Sequence, residues 1–260
     1  MTVLSADVAG IGFWTRGLPS WSAACMYLQT GHVAGDAPVK PAPQLLAANE
    51  RRRAPETVAV ALEVALAACE QASKNAAELP SVFTSMHGDL AITDYMCATL
   101  PEDPRAISPT KFHNSVHNAA AGYWTIGTHC NKPATALSSG DASFAIGLLE
   151  ALAQLATGDD AVLLAAYDSN ATGPLAAISS SDGLLGGALV LAQPGASALA
   201  RLQVEFINAP APSTSCRLAE HVGANAMAPM LPLFEALATG AGEAWLHAGP
   251  SQSLRIGITR

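Results

Sequence analysis

Residues 112–169 of this chain read FHNSVHNAAAGYWTIGTHCNKPATALSSGDASFAIGLLEALAQLATGDDAVLLAAYDS. Four elements are predicted there in succession: a small-residue helix over 115–127, an apolar strand over 134–137, a long apolar helix over 141–157 and a buried strand over 160–166. The turn Ser138-Ser139-Gly140 joins the first strand to the long helix and makes an elbow. In many α/β enzymes such an elbow presents a nucleophile at a helix N-terminus, where the helix dipole favours negative charge.

The rest of the chain continues this alternation of strands and helices. Hydrophobic periodicity predicts further strands over 8–15, 81–86, 188–193, 202–208, 245–248 and 254–259, and helices over 21–30, 57–73, 92–100 and 226–239. A glycine-rich turn is predicted over 179–187, a second turn over 194–198 and an irregular segment over 209–219. The alternation predicts an α/β fold with a mixed, largely parallel sheet between helices.

Composition restricts the class of partner. Half of the 260 residues are apolar and only 13% are charged, whereas an average globular chain has about 25% charged residues. We expect a sizeable oligomeric interface, although an alanine-rich coding bias would give the same composition. The net charge of −8 argues against nucleic acid as a partner, because binding to phosphates needs an excess of Lys and Arg.

Cysteine usage and hydropathy predict a cytoplasmic protein without a membrane span. The cysteines are odd in number, widely spaced and lack a C-x-x-C pair, which favours reduced thiols over disulfides or zinc. They are Cys25, Cys69, Cys97, Cys130 and Cys216. The N-terminal residues lack a signal-peptide pattern, and no uninterrupted apolar run reaches about 18 residues. His113 and His117 lack a third metal ligand, so no metal and no cofactor are predicted.

The spacing of residues 118–169 resembles the N-terminal half of the β-ketoacyl synthases, which have the thiolase-like fold. The resemblance is carried by Asn118, Ala121, Gly122, Thr125, Ile126, Pro133, Gly158 and Asp159. In the preferred register, the family's active-site segment Thr-Ala-Cys-x-Ser falls on residues 139–143 and places Asp141 where the family has its nucleophilic cysteine. A second register places Leu137 there. Neither register supplies a thiol.

The aspartate changes the chemistry that the resemblance implies. A ketosynthase needs a thiolate that forms an acyl thioester, and a carboxylate at Asp141 cannot form one. As an alternative, Asp141 simply caps the N-terminus of its helix. The family's two catalytic histidines belong to its C-terminal half, and His221 and His247 lie in neither of their motifs. We expect one complete N-terminal half over 1–208 and a truncated C-terminal remnant over 209–260.

Non-catalytic relatives in this family are chain-length factors, which pair with an active ketosynthase. The resemblance therefore implies a heterodimer with a full-length β-ketoacyl synthase in polyketide, aryl polyene or fatty-acid-like biosynthesis, with an acyl carrier protein as a further possible partner. In the family, the strand before the nucleophile pairs with its counterpart across the dimer. The expected interface and acyl-pocket residues are Phe112, Asn118, Ala120, Gly122, Tyr123, Trp124 and Phe144. The alternative for this helix and for the phenylalanines is ordinary core packing.

Two enzymatic functions are also compatible with the sequence. Ser138 or Ser139 on the elbow is a candidate nucleophile for an acyl transferase or hydrolase, although the G-x-S-x-G pattern is absent. Alternatively, Asp141 mimics an acylated side chain in the decarboxylation of a malonyl thioester.

Overall fold

Eight strands form a single sheet in the computed structural model, which describes residues 3–195 and 198–260. The strands are β1 (Val3–Thr15), β2 (Ser81–Thr84), β3 (Ala134–Leu137), β4 (Ala161–Asp168), β5 (Leu185–Ala192), β6 (Ala200–Ile207), β7 (Glu243–Gly249) and β8 (Gln252–Thr259). The helices are α1 (Trp21–Thr30), α2 (Ala48–Arg51), α3 (Glu56–Gln71), α4 (Leu90–Glu102), α5 (Pro109–His113), α6 (Ala119–Thr128), α7 (Ser143–Thr157), α8 (Arg217–Val222) and α9 (Leu231–Thr239).

The strand order is β3-β2-β4-β5-β1-β6-β8-β7. The α/β class with a mixed sheet is confirmed, but the expectation of largely parallel pairing is wrong. Among the described strands, β2 pairs in parallel with β3 and β4, and the other five neighbouring pairs are antiparallel. Parallel neighbours need a long crossover connection, which α6 and α7 supply around β3. No α-helix separates β4 from β5, so β5 returns antiparallel.

The glycine-rich turn predicted over 179–187 extends too far, because residues 185–187 belong to a strand. β5 begins at Leu185, and Gly186 and Gly187 lie inside it. A Cβ atom on Gly186 would come within 2.7 Å of the Val60 side chain, and one on Gly187 within 2.7 Å of Phe234. The two glycines therefore allow helices to pack closely on both faces of the sheet.

Two apolar cores cover the two faces of the sheet. One contains residues of α3 and α6, and the other contains residues of α1, α7, α8 and α9. Side chains of β4 alternate between the cores, with Val162 and Leu164 in the second and Leu163 and Ala165 in the first. Because both faces are covered, β4 and β5 are buried at every position.

α7 is enclosed by the sheet that it packs on. It contacts β2 and β4 at one end of the strand order and β7 at the other, so the sheet curls around this helix. Phe144 and Leu148 of α7 share a core with Phe234 of α9 and Leu246 of β7. Residues 209–260 thus supply part of the cover over the central helix. In the described part of the chain, every helix is too short or too polar to cross a bilayer.

Helix boundaries differ from expectation mostly at N-termini. α6 and α7 begin at Ala119 and Ser143, a few residues later than predicted, because short turns precede them. α9 begins at Leu231, since Pro229 forms a 3₁₀ turn ahead of it. A short helix, α8, lies partly within the segment expected to be irregular. The turn predicted over 194–198 includes residues 196 and 197, which lie outside the described residues.

Candidate functional site

The elbow between β3 and α7 is closed by Ser143. The Ser143 hydroxyl accepts a hydrogen bond from the backbone N of Ser139 at 2.9 Å and donates one to the carbonyl of Gly140 at 2.6 Å. Gly140 has φ of 59°, a left-handed conformation that favours glycine. The elbow predicted from the sequence therefore exists, and its geometry is set by a buried serine whose role the sequence did not reveal.

Asp141 lies on the outer side of the elbow and is not the cap of α7. The N-cap residue is Ala142, which has no side chain that can accept a hydrogen bond, so the expected capping role is wrong. The Asp141 Oδ1 atom instead lies 3.2 Å from Nε2 of His247 on β7. The Asp141 side chain is 69% exposed and that of His247 is 33% exposed. The sequence missed this pair because the two residues come together only through the curl of the sheet around α7.

We expect the Asp141→Ala variant to fold with almost unchanged stability. A polar contact this exposed contributes about 0–1 kcal/mol, because water competes for both partners. The free energy of unfolding, measured by urea denaturation, should therefore fall by less than about 1 kcal/mol. The exposed Asp160→Ala variant serves as the charge-matched control. A loss well above that of the control would show that the pair with His247 holds the elbow in place.

The elbow serines make no hydrogen bond to a basic side chain among the described residues. The Ser138 hydroxyl donates to the carbonyl of Met86 at 2.9 Å. Neither Ser138 nor Ser139 has a side-chain hydrogen bond to a histidine in the described chain, whereas nucleophilic catalysis by a hydroxyl needs such a partner. A histidine–serine hydrogen bond does exist outside the elbow, between His87 Nε2 and Ser179 Oγ at 2.6 Å. Leu137, which the second register places at the nucleophile position, is an aliphatic side chain of intermediate exposure.

No cysteine stands on the elbow, and two of the five are buried thiols with raised pKa values. All five lie outside the elbow, and all are free thiols. Burial raises the pKa of Cys69 to about 12, and burial together with the neighbouring Glu235 raises the pKa of Cys216 to about 12. Thiols with raised pKa values are poor nucleophiles at neutral pH, because the thiolate is the reactive form.

The outward face of α6 forms one wall of an apolar groove of about 630 Å³. Asn118, Gly122 and Tyr123, three of the expected interface residues, line this groove together with Val116 and Ile126. Ile126 is 74% exposed and Val116 is 52% exposed. Exposed aliphatic side chains around a groove are typical of surfaces that bind a partner or an apolar ligand.

Polar side chains also line this groove. Arg53, which precedes α3, lines it together with Glu50 of α2 and His113 of α5. Phe112, adjacent to His113 on α5, is 62% exposed. α5 thus carries an exposed aromatic ring next to His113, and the interface role of Phe112 stays a prediction.

Ala120, Trp124 and Phe144 lie in the interior instead of at this surface. Ala120 and Trp124 are fully buried, and the Trp124 ring lies 6.2 Å from that of Phe83 in the core between α6 and the sheet. Phe144 is 1% exposed and its ring lies 6.0 Å from that of Phe234. The interface placement expected for Ala120 and Trp124 is therefore wrong, whereas the acyl-pocket role expected for Phe144 stays a prediction. Residues 120 and 124 share the helix face opposite to residues 119, 122 and 126, which follows from the 3.6-residue helical period.

β3 forms one edge of the sheet. It pairs with β2 on one side, and no described strand pairs with its other side. Three of its four residues are of intermediate exposure. An edge strand with unpaired backbone groups is a template for a strand of another chain. The edge leads directly into the elbow, so a partner strand would lie next to Asp141.

Comparison with known proteins identifies the family. The family model described as "Beta-ketoacyl synthase, N-terminal domain" matches residues 21–252. A search of curated protein sequences gives no match. Among solved structures, the chain resembles the ketosynthase ApeO in complex with its chain length factor ApeC from Xenorhabdus doucetiae, with a TM-score of 0.77, 21% identity, and coverage of 98% of this chain and 99% of the matched chain.

Two further structures show the same fold over nearly complete chains. The ishigamide ketosynthase/chain length factor matches with a TM-score of 0.72 and 14% identity, covering 97% of this chain and 98% of the other. A type II acyl-carrier protein in complex with its ketosynthase bound to the hexaketide, AntDE:AntF, matches with a TM-score of 0.72 and 12% identity, covering 98% and 99%. Because the family model matches residues 21–252, the chain belongs to the β-ketoacyl synthase family, within its N-terminal domain group.

Proposed function

We propose that this chain is a non-catalytic, ketosynthase-like subunit, a chain-length factor, that pairs with a full-length β-ketoacyl synthase. The observation that carries the proposal is the elbow: in the preferred register Asp141 stands where the family has its cysteine, and its carboxylate is paired with His247. A carboxylate at this position cannot accept an acyl group as a thioester. The solved structures that are titled as ketosynthase/chain length factor complexes support the same assignment.

The proposed partner surface combines the free edge of β3 with the outward face of α6. Pairing across β3 would give backbone hydrogen bonds, and the face of α6 would give apolar contact. The groove lined by Gly122 and Ile126 would then border the acyl chain that grows on the partner. Side chains projecting into the groove would limit the length of that chain. Pathways of the polyketide or aryl polyene type are the proposed setting.

An acyl carrier protein is the second proposed partner. One of the similar structures contains an acyl-carrier protein with its ketosynthase, and delivery of acyl groups to the proposed heterodimer would need such a carrier. We also propose that residues 209–260 are the remnant of a C-terminal half. This remnant contributes β7, β8 and α9, which cover α7.

Co-expression tests the proposed function. Expressed with a full-length ketosynthase from the same genomic neighbourhood, the chain should co-purify with it in a 1:1 complex, whereas alone it should self-associate. The reason is that the edge of β3 and the apolar face of α6 are exposed in the isolated chain. A homodimeric ketosynthase from an unrelated pathway is the control and should not bind. A stable monomer that binds no ketosynthase would contradict the proposal.

A further inference from the structure

Asp168 is a fully buried carboxylate at the end of β4. It accepts hydrogen bonds from the Ser85 hydroxyl at 2.7 Å, from the backbone N of Met86 at 2.8 Å and from the backbone N of His87 at 3.3 Å. β2 ends at Thr84, so the carboxylate binds the three residues that follow this strand. We call residues 85–88 the β2 exit segment.

The β2 exit segment also binds the elbow and the approach to α6. The backbone N of Ser85 donates to the carbonyl of Leu137 at 3.3 Å, and the Ser138 hydroxyl donates to the carbonyl of Met86 at 2.9 Å. His117 Nε2 lies 2.9 Å from the carbonyl oxygen of Ser85, so this nitrogen carries the proton and donates. One buried carboxylate thus holds the segment to which both the end of β3 and the residues before α6 are attached.

We propose that Asp168 is a positioning residue that fixes the elbow and α6 relative to each other. In the isolated chain, this role follows from the hydrogen bonds of Asp168 and of the β2 exit segment alone. Its consequence for partner binding rests on the proposed function, which uses the β3 edge and the α6 face as one surface.

The charge state of Asp168 decides whether these contacts persist. Two backbone N–H groups and one hydroxyl converge on its two oxygens, and only the ionised carboxylate accepts from all three. Protonation would place a further hydrogen among these donors and break at least one bond. The ordered β2 exit segment therefore requires the ionised form.

Burial raises the pKa of Asp168 to about 6, against the lowering effect of its hydrogen bonds and of His117. The other titratable groups around it are Tyr167 on β4, whose pKa is raised mainly by burial, Asp89 at the start of α4, and His87, whose pKa burial lowers. Because the folded-state value lies above the ordinary 3.8, protonation favours the folded chain between about pH 6 and pH 4. Loosening of the segment on acidification is therefore local and is not the onset of acid unfolding.

Hydrogen exchange in the chain alone tests the inference. Between pH 7.5 and pH 5.0, the protection factors of the Met86 and His87 amides should fall about thirtyfold, because the protonated fraction of a carboxyl with a pKa of about 6 rises from about 3% to about 91%. We call this fall in protection between the two pH values the step. Asp168→Asn should have low protection at both pH values and should show no step. Asp160→Asn, which removes an exposed carboxylate just before β4, and His117→Gln, which keeps a donor, should both retain the step.

Two results would overturn the inference: a step that persists in Asp168→Asn, or a step that disappears in His117→Gln, which would assign the titration to the histidine. Should Asp168→Asn fail to fold, a carbon-13 titration of the wild-type carboxyl decides, with an apparent pKa near 6 supporting the inference and one below about 4.5 opposing it.

Binding of the same variants to the co-expressed ketosynthase tests the consequence for the partner surface. The dissociation constant of the complex should rise about tenfold from pH 7.5 to pH 5.0 in the wild type and stay constant in Asp168→Asn. If no ketosynthase binds at any pH, the proposed function fails, whereas the exchange experiment still decides the role of Asp168. If binding occurs without a pH step although the exchange step is seen, the proposed link between Asp168 and the partner surface is wrong.

Discussion

Replacing Gly122 by tryptophan should weaken the binding of the chain to its ketosynthase while leaving the chain itself folded. A Cβ atom on Gly122 meets no atom within 4 Å, so a side chain there projects into the open groove on α6. In a heterodimer that uses this face, the indole would occupy space that belongs to the partner or to the acyl chain. Overpacking of this kind costs about 1–3 kcal/mol, which weakens the dissociation constant by about 5- to 150-fold.

The measurement is the affinity of the purified variant for the ketosynthase, together with its thermal unfolding alone. Gly242→Trp is the matched control, because Gly242 lies between α9 and β7, is exposed and also has open space around its Cβ position. This control should bind normally. Full-strength binding by Gly122→Trp would show that the α6 face lies outside the interface. A smaller replacement, Gly122→Leu, should bind but shorten the product of the complex.

Phe144→Ala should be the most destabilising of the substitutions considered. Phe144 is 1% exposed, and its ring packs at 6.0 Å from that of Phe234, which in turn lies 5.8 Å from that of Phe13. Removing a buried phenylalanine side chain costs about 3–5 kcal/mol, because the cavity collapses only partly. For a chain of this size the melting temperature should fall by about 6–20 °C.

Thermal and urea unfolding of the variant measure this loss. Ile126→Ala is the control, because Ile126 is 74% exposed and its truncation should change stability by no more than about 0.5 kcal/mol. The result separates two roles for Phe144. A stable Phe144→Ala variant with altered product length would return this residue to the acyl pocket, as the sequence suggested, and would remove it from the core that holds α7.

The elbow and the helix that follows it were predictable from local sequence. Ser138-Ser139-Gly140 between two apolar segments indicated a strand, a turn and a helix, and the structure has them as β3 and α7. The direction of the later strands was not predictable in the same way, since the segment between β4 and β5 contains no periodic signal. The glycines of β5 were misread as a turn because their packing against Val60 and Phe234 is a tertiary contact.

The contacts of the candidate site were harder to predict, because they join residues that are distant in the sequence. Small and aromatic residues on α6 indicated an interface, but they did not show which face of the helix is exposed, so Trp124 was placed at the surface instead of in the core. The pairing of Asp141 with His247 joins residues at opposite ends of the strand order and depends on the curl of the sheet. The cluster around Asp168 likewise joins β4, the β2 exit segment and the elbow, and no sequence motif announces it.

The central claim is that the elbow of this chain carries no group that becomes acylated. The most direct test is intact mass spectrometry of the co-purified pair after incubation with an acyl carrier protein loaded with its acyl group. The ketosynthase should gain the mass of one acyl group, and the mass of this chain should stay unchanged. An acyl group found on this chain, at Ser139 or any other residue of the elbow, would contradict the account and make the chain an acyl-transfer enzyme in its own right.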